Sequence, residues 1–183
     1  MTLLGPGGVG KTRLATVVAG EHPDGSAFVD LVPARAGHVI QALAAALGVS
    51  ERPPRPLEHT VLEQLAPGRA LLVMDNCEHV IDEAGALIDR VLSCCPGVRV
   101  LATSRERLSV MGERVVPLPP LPLRTDARRL FLDRVRAIEP GFDALPALVD
   151  DLCARLDGMP PAIELAAATR APAARRPAVR GQP

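Results

Sequence analysis

The sequence predicts a parallel α/β sheet flanked by helices, followed by a small all-helical subdomain. Three observations predict it. A glycine-rich turn at Gly5–Thr12 stands between a short apolar stub and a helical stretch. Apolar strand-like runs then alternate with helical spacing as far as Leu118, the pattern that builds parallel sheets. Beyond the proline-rich stretch 117–122 only helical spacing remains.

Each element has its own signal. Thr2-Leu3-Leu4 is the apolar stub, and 13–20 is a helix opening at the turn and closing at Gly20. Residues 27–32 form a short strand, 39–47 a helix ended by Gly48, and 57–65 a second short helix after a proline-rich loop. Ala70-Leu71-Leu72-Val73-Met74 is a continuous apolar run between Pro67-Gly68 and Asp75-Asn76, which fits a strand buried on both faces. Val80, Ile81, Ala84, Leu87, Ile88, Val91 and Leu92 mark one helix face; 98–103 is the next strand and 115–118 a weak fifth. Thr125 is expected to cap a helix lined by Leu130, Phe131, Val135 and Ile138. A further helix runs through Leu148 to Leu156 and closes at Gly158, and Pro160-Pro161 opens a third at its first turn. The tail from Ala171 is rich in Ala, Arg and Pro without acids and is expected to be disordered. The expected division is therefore 1–122, 123–170 and a tail 171–183.

Composition narrows the functions. Formal net charge is zero, which argues against a surface built to neutralise phosphate backbones, and no direct nucleic-acid binding is expected. No apolar run reaches the roughly 18–20 residues of a membrane span, and only four residues precede the turn, so a cytoplasmic protein is expected. Cys77, Cys94, Cys95 and Cys153 include no C-x-x-C pair, which makes reduced, buried thiols the expectation. Arginine is frequent, yet the only lysine is Lys11.

That lysine lies in the turn. Gly5-Pro6-Gly7-Gly8-Val9-Gly10-Lys11-Thr12 matches G-x-x-x-x-G-K-S/T at every fixed position. Glycines let successive backbone N–H groups point at one anion, and the following helix adds positive charge at its N-terminus. A compact ammonium on a flexible stem reaches a phosphate better than a planar guanidinium. Lys11 would serve the β- and γ-phosphates and the Thr12 hydroxyl would hold Mg²⁺. In the empty turn Lys11 is expected to stand exposed. Nucleoside triphosphate, with Mg·ATP as the expected form, is the ligand this chemistry suits, on a P-loop NTPase sheet.

Asp75, ending an apolar strand, is the second metal-ligand candidate, usually acting through water. If strand 98–103 lies between the first strand and the Asp75 strand, its polar end faces the γ-phosphate and Arg105 becomes a sensor for it. The expected strand order is then fifth, first, fourth, third, second. The position after Asp75, where many such ATPases carry a carboxylate that orients the attacking water, is Asn76. Glu78 is the nearest acid and His79 an alternative, so slow hydrolysis is expected.

Gly5–Ala15, Leu-Leu-Val-Met-Asp-Asn-Cys-Glu-His at 71–79, Leu-Ala-Thr-Ser-Arg-Glu at 101–106 and Leu-Asp-Gly-Met-Pro-Pro-Ala-Ile-Glu-Leu-Ala-Ala at 156–167 appear in order. Together they resemble the nucleotide-binding core of bacterial STAND regulators, the NB-ARC-like ATPases of AfsR/SARP- and LuxR-type transcriptional activators. The resemblance implies a switch that is closed with ADP and open with ATP. It implies the phosphate role for Lys11, the metal roles for Thr12 and Asp75 and the sensor role for Arg105, with nucleotide contacts from Gly5 through Thr12 and on to Arg13; Glu78 joins the candidate catalytic set as the acid nearest Asn76. It also implies a helical lid whose Gly158-x-Pro160 turn packs Pro160 near the nucleotide; Pro161 departs from the aliphatic residue usual there. Effector and DNA-binding domains would be missing or separate, and ATP-dependent self-association is compatible with the pattern. A P-loop kinase or metabolic ATPase, or a truncated remnant without function, are the rival readings. A kinase would need arginines around a second pocket, and no such cluster stands out.

Overall fold

A computed structural model describes residues 1–51 and 53–169; the expected tail lies outside them. The chain divides into two compact units, Met1–Pro119 and the segment from Pro120 onward.

The first unit carries β1 (Thr2–Leu4), α1 (Lys11–Gly20), β2 (Ser26–Asp30), α2 (Val39–Ala46) and α3 (Leu57–Leu65). It continues with β3 (Ala70–Asp75), a one-turn 3₁₀ helix (Cys77–His79), α4 (Ile81–Cys94), β4 (Val98–Ser104) and β5 (Val115–Pro117). All five strands are parallel, in the order β2-β3-β4-β1-β5. This is the expected order, with β4 between β1 and the Asp75 strand.

Alternation along the buried strands distributes the core over both faces. Leu72 and Met74 of β3, with Val100 and Ala102 of β4, point into the larger cluster covered by α2, α3 and α4. Leu71, Val73 and Leu101 point the other way, against Ala15 and Ala19 of α1. Ala84, Leu87, Ile88 and Val91 give α4 the stripe that a helix lying on a sheet requires. Each fully buried Leu or Val contributes about 1.5–3 kcal/mol. β1 has three residues but is held on both sides: it pairs with β4 and β5, and its margins add Leu118 N–H to Leu4 O at 2.7 Å and Thr2 N–H to Arg114 O at 2.8 Å.

The second unit holds a short π-helical turn (Leu123–Ala127), α5 (Arg128–Ile138), α6 (Pro146–Arg155) and α7 (Pro160–Thr169). Its core is Ala127, Phe131, Val135, Phe142, Val149, Cys153, Ile163 and Ala167, with Phe131 and Phe142 edge to face at 6.1 Å. Thr125 does not cap a helix. It lies inside the π-turn, because the Pro122 carbonyl accepts the N–H groups of both Thr125 and Ala127 and starts the turn earlier. Nor are all four thiols buried. Cys77, Cys95 and Cys153 are, but Cys94 is exposed on the last turn of α4.

Candidate functional site

In a parallel sheet every strand delivers its C-terminal residue to the same edge, and ligands collect there. At this edge β1 runs into the Gly5–Thr12 loop, β3 ends in Asp75, β4 ends in Ser104 and passes to Arg105, and β2 ends in Asp30. Four separate segments thus supply one constellation.

The loop ends in Gly10 at φ 104°, a left-handed backbone that a side chain would strain, and Lys11 immediately begins α1. Lys11 does not stand exposed. It is buried to 6 % relative exposure, and its ammonium donates to the carbonyls of Gly5 at 2.7 Å and Pro6 at 3.0 Å. The reason is local: the curl of the loop brings its own carbonyls within reach of the charge at the helix start. Burial lowers the Lys11 pKa, Glu78 raises it and Arg105 lowers it further.

Thr12 and Asp75 face each other directly. The Thr12 hydroxyl donates to both carboxylate oxygens of Asp75, at 3.0 and 2.9 Å. Asp75 is buried and is further held by the Thr103 hydroxyl at 2.5 Å and the Asn76 amide at 2.9 Å. Thr103 also accepts the Asn76 backbone N–H at 3.0 Å, so one buried hydroxyl pins two successive residues. Hydroxyl and carboxylate oxygens are the donors a hard divalent cation takes, and Thr12 with Asp75 fits one that keeps water or phosphate on its other positions.

Asn76 adopts φ 61°, a conformation asparagine tolerates better than most residues, and the chain turns there into the 3₁₀ segment. Glu78 on that segment has a side chain only 9 % exposed, and its Oε1 accepts from Arg105 Nε at 3.0 Å. Its Oε2 is buried without a hydrogen-bond partner. The Arg105 guanidinium lies over the loop: a methyl group added at Gly7 would stand 3.1 Å from it. Glu78, whose direction was open from the sequence, therefore faces the loop, whereas His79 is exposed. Cys77 beneath is pushed up to about 12 by burial and by the Glu78 and Asp75 charges.

Of the expected residues, the structure brings together the loop, Lys11, Thr12, Asp75, Glu78 and Arg105. Arg13 is exposed on α1, and Pro160 begins α7 in the second unit. Two residues escaped sequence reasoning. Thr103 was seen only as part of a polar strand end. Asp30, which accepts from the Asn76 amide at 3.3 Å, repeats the signal that marked Asp75, an apolar strand ending in a carboxylate.

No family model matches the chain. It is 42 % identical over 174 residues to a protein of Mycobacterium tuberculosis provisionally named an HTH-type transcriptional regulator, Rv0890c, covering 92 % of this chain and 20 % of that protein. It is 39 % identical over 176 residues to an uncharacterized protein of the same organism, Rv0894, covering 92 % of this chain and 45 % of that one. The chain thus spans a fifth of the first relative and less than half of the second. Among solved structures it resembles the Aeropyrum pernix ORC1 protein, solved in complex with DNA, at TM-score 0.66 and 21 % identity over 91 % of this chain and 52 % of that one. The STAND protein PH0952 of Pyrococcus horikoshii, with a tetratricopeptide repeat sensor, matches at TM-score 0.56 and 18 % identity, over 87 % and 26 %. Caenorhabditis elegans PCH-2 matches at 0.58 and 14 %, over 90 % and 52 %. The fold is that of a P-loop NTPase. The P-loop is Gly5–Thr12, the β3 terminal acid is Asp75, and the strand inserted between them, β4, delivers Thr103 and Arg105. Among the described residues, no helix is long and apolar enough to cross a membrane.

Proposed function

We propose that this chain is the ATP/ADP-binding switch core of a STAND-type signalling or transcriptional regulator, with slow hydrolysis of ATP to ADP and phosphate. The observation that carries the reading is the convergence of Lys11, Thr12, Asp75, Thr103 and Arg105 at one sheet edge, in mutual contact through Asp75 and the loop. The resemblance in four ordered motifs, the STAND neighbour and the regulator-named relative support the regulatory assignment.

In this reading the loop amides from Gly5 to Thr12 cradle the phosphates, and Lys11 leaves the Gly5 and Pro6 carbonyls for the β- and γ-phosphates. Thr12 and Asp75 would hold Mg²⁺, which supplies charge neutralisation at the β- and γ-oxygens when bound. Arg105 senses the γ-phosphate. Glu78 is the acid assigned to orient the attacking water, a task Asn76 does not perform because its amide donates to Asp75 and Asp30. DNA-binding and effector functions belong to separate segments of a longer regulator, ATP-dependent self-association is the expected output step, and the setting is the cytoplasm.

The test is calorimetric titration of the purified chain with Mg·ATP and Mg·ADP, together with anion exchange of the supernatant after denaturation to detect retained ADP. Turnover is expected near the intrinsic rate of switch GTPases, on the order of 10⁻⁴ to 10⁻² s⁻¹. Absence of binding at millimolar nucleotide would overturn the reading. Turnover above about 1 s⁻¹, or phosphate passed to an acceptor, would favour a working enzyme.

A further inference from the structure

Among the described residues, Arg105 is the cation over the P-loop that has a carboxylate partner of its own. Its Nε donates to Glu78 Oε1 at 3.0 Å while its guanidinium tip reaches the space beside Gly7. The two partners differ sharply in exposure, at 59 % for the arginine side chain and 9 % for the glutamate. A pair exposed at both ends contributes little, because water competes for each charge. Here the carboxylate is almost withdrawn from water and its second oxygen has no partner, so the Arg105 contact is the main compensation for its burial. Glu78 therefore holds Arg105 more firmly than the arginine's own exposure suggests.

A terminal phosphate entering beside Gly7 would offer Arg105 a second anion. The Nε–H serves Glu78 while the Nη groups beside Gly7 are the ones a γ-phosphate would meet, so two anions would share one guanidinium charge, whereas a diphosphate, lacking that group, makes no such demand. We propose that Glu78 sets the discrimination between ATP and ADP by competing with the terminal phosphate for Arg105. The inference rests on the nucleotide-binding reading above and adds to it a residue that weakens the triphosphate state selectively. In this arrangement Glu78 is a positioning residue for Arg105 through Oε1.

Two effects could give Glu78 an influence on ATP. One is the contact just described. The other is plain repulsion between its charge and the phosphates, which also grows with phosphate number but needs no arginine. The experiment separates them. Dissociation constants for Mg·ATP and Mg·ADP are measured by calorimetry on the unmodified chain, Glu78→Gln, Glu78→Asp, Arg105→Ala and the double variant Glu78→Gln/Arg105→Ala, with far-ultraviolet circular dichroism checking that each is folded. Glu78→Gln is expected to shift the ATP-to-ADP affinity ratio toward ATP by roughly two- to fivefold, the scale of one partly exposed ion pair. Glu78→Asp keeps the charge but shortens the reach, so it should shift the ratio the same way. In the Arg105→Ala background the Glu78→Gln effect should disappear. An unchanged ratio in Glu78→Gln overturns the proposal, as does an equal shift in the Arg105→Ala background, which would show repulsion alone. Failure of the unmodified chain to bind either nucleotide overturns the nucleotide reading itself and this inference with it.

Discussion

Thr103→Val tests whether the Asp75 cluster is held as described. Thr103 is fully buried, and valine matches its shape, so no cavity opens. The hydroxyl makes two bonds, donating to Asp75 at 2.5 Å and accepting the Asn76 N–H at 3.0 Å. A bond to a charged group contributes about 1.5–3 kcal/mol, and an N–H left without an acceptor costs about 1–3 kcal/mol when buried. Asn76 is half-buried, so the lower part of the second range applies, and the expected loss is about 2–4 kcal/mol. For a chain of this size that is a melting-temperature drop of about 5–15 °C. The chain has no Trp or Tyr, so intrinsic fluorescence is silent and the melt is followed by far-ultraviolet circular dichroism. Mg²⁺-dependent nucleotide affinity should fall in parallel, since Asp75 loses its alignment toward Thr12. Thr103→Ser keeps the hydroxyl and should recover most of both losses. A valine variant melting within about 2 °C of the parent, or a serine variant as damaged as valine, would refute the assignment.

Saturating nucleotide at about a hundred times its dissociation constant should raise the melting temperature by about 5–10 °C, and Lys11→Ala and Lys11→Arg should both lose that gain; retention in Lys11→Arg would show that charge alone suffices. Gly158→Ala in the second unit should destabilise by about 1–3 kcal/mol, read by chemical denaturation, because Gly158 sits at φ 64° and a β-carbon there would meet the Leu121 carbonyl at 2.5 Å; a neutral result would mean the Leu121–Gly158 contact yields freely. Cys77 should make the fold alkali-sensitive. Its thiol is raised from 9.0 to about 12, so the folded state keeps a proton that the unfolded chain releases. That contribution is whole below about pH 9 and is lost as pH rises toward 12. Denaturation midpoints should therefore fall above pH 9, and less steeply in Cys77→Ala; identical slopes would remove Cys77 from the account.

The P-loop was legible in the sequence because its chemistry is local. Glycine at 10, lysine at 11 and threonine at 12 belong to one turn and the first residues of one helix, so spacing alone places them together. Asp75 was legible for a related reason: an apolar run buried on both faces must end somewhere, and a carboxylate at its end is conspicuous. The strand order was read only conditionally from sequence, as the arrangement that would bring the polar end of 98–103 to the loop, and the structure has that order. What only the tertiary structure decided is which polar groups meet. Thr103 reaches Asp75 because the β3–β4 register brings Met74 beside Ala102, and nothing in either segment alone encodes that pairing. Lys11 turned inward because the carbonyls of its own loop lie within hydrogen-bond reach of its ammonium, a balance of desolvation against hydrogen bonding that depends on the curl of the loop. Glu78 points at Arg105, and not into solvent, because Asn76 takes a left-handed turn and the following 3₁₀ segment folds back toward the sheet edge. Local pattern determines which chemistry a segment can perform; side-chain partners across a sheet depend on register and on single backbone turns, and these are properties of the folded chain.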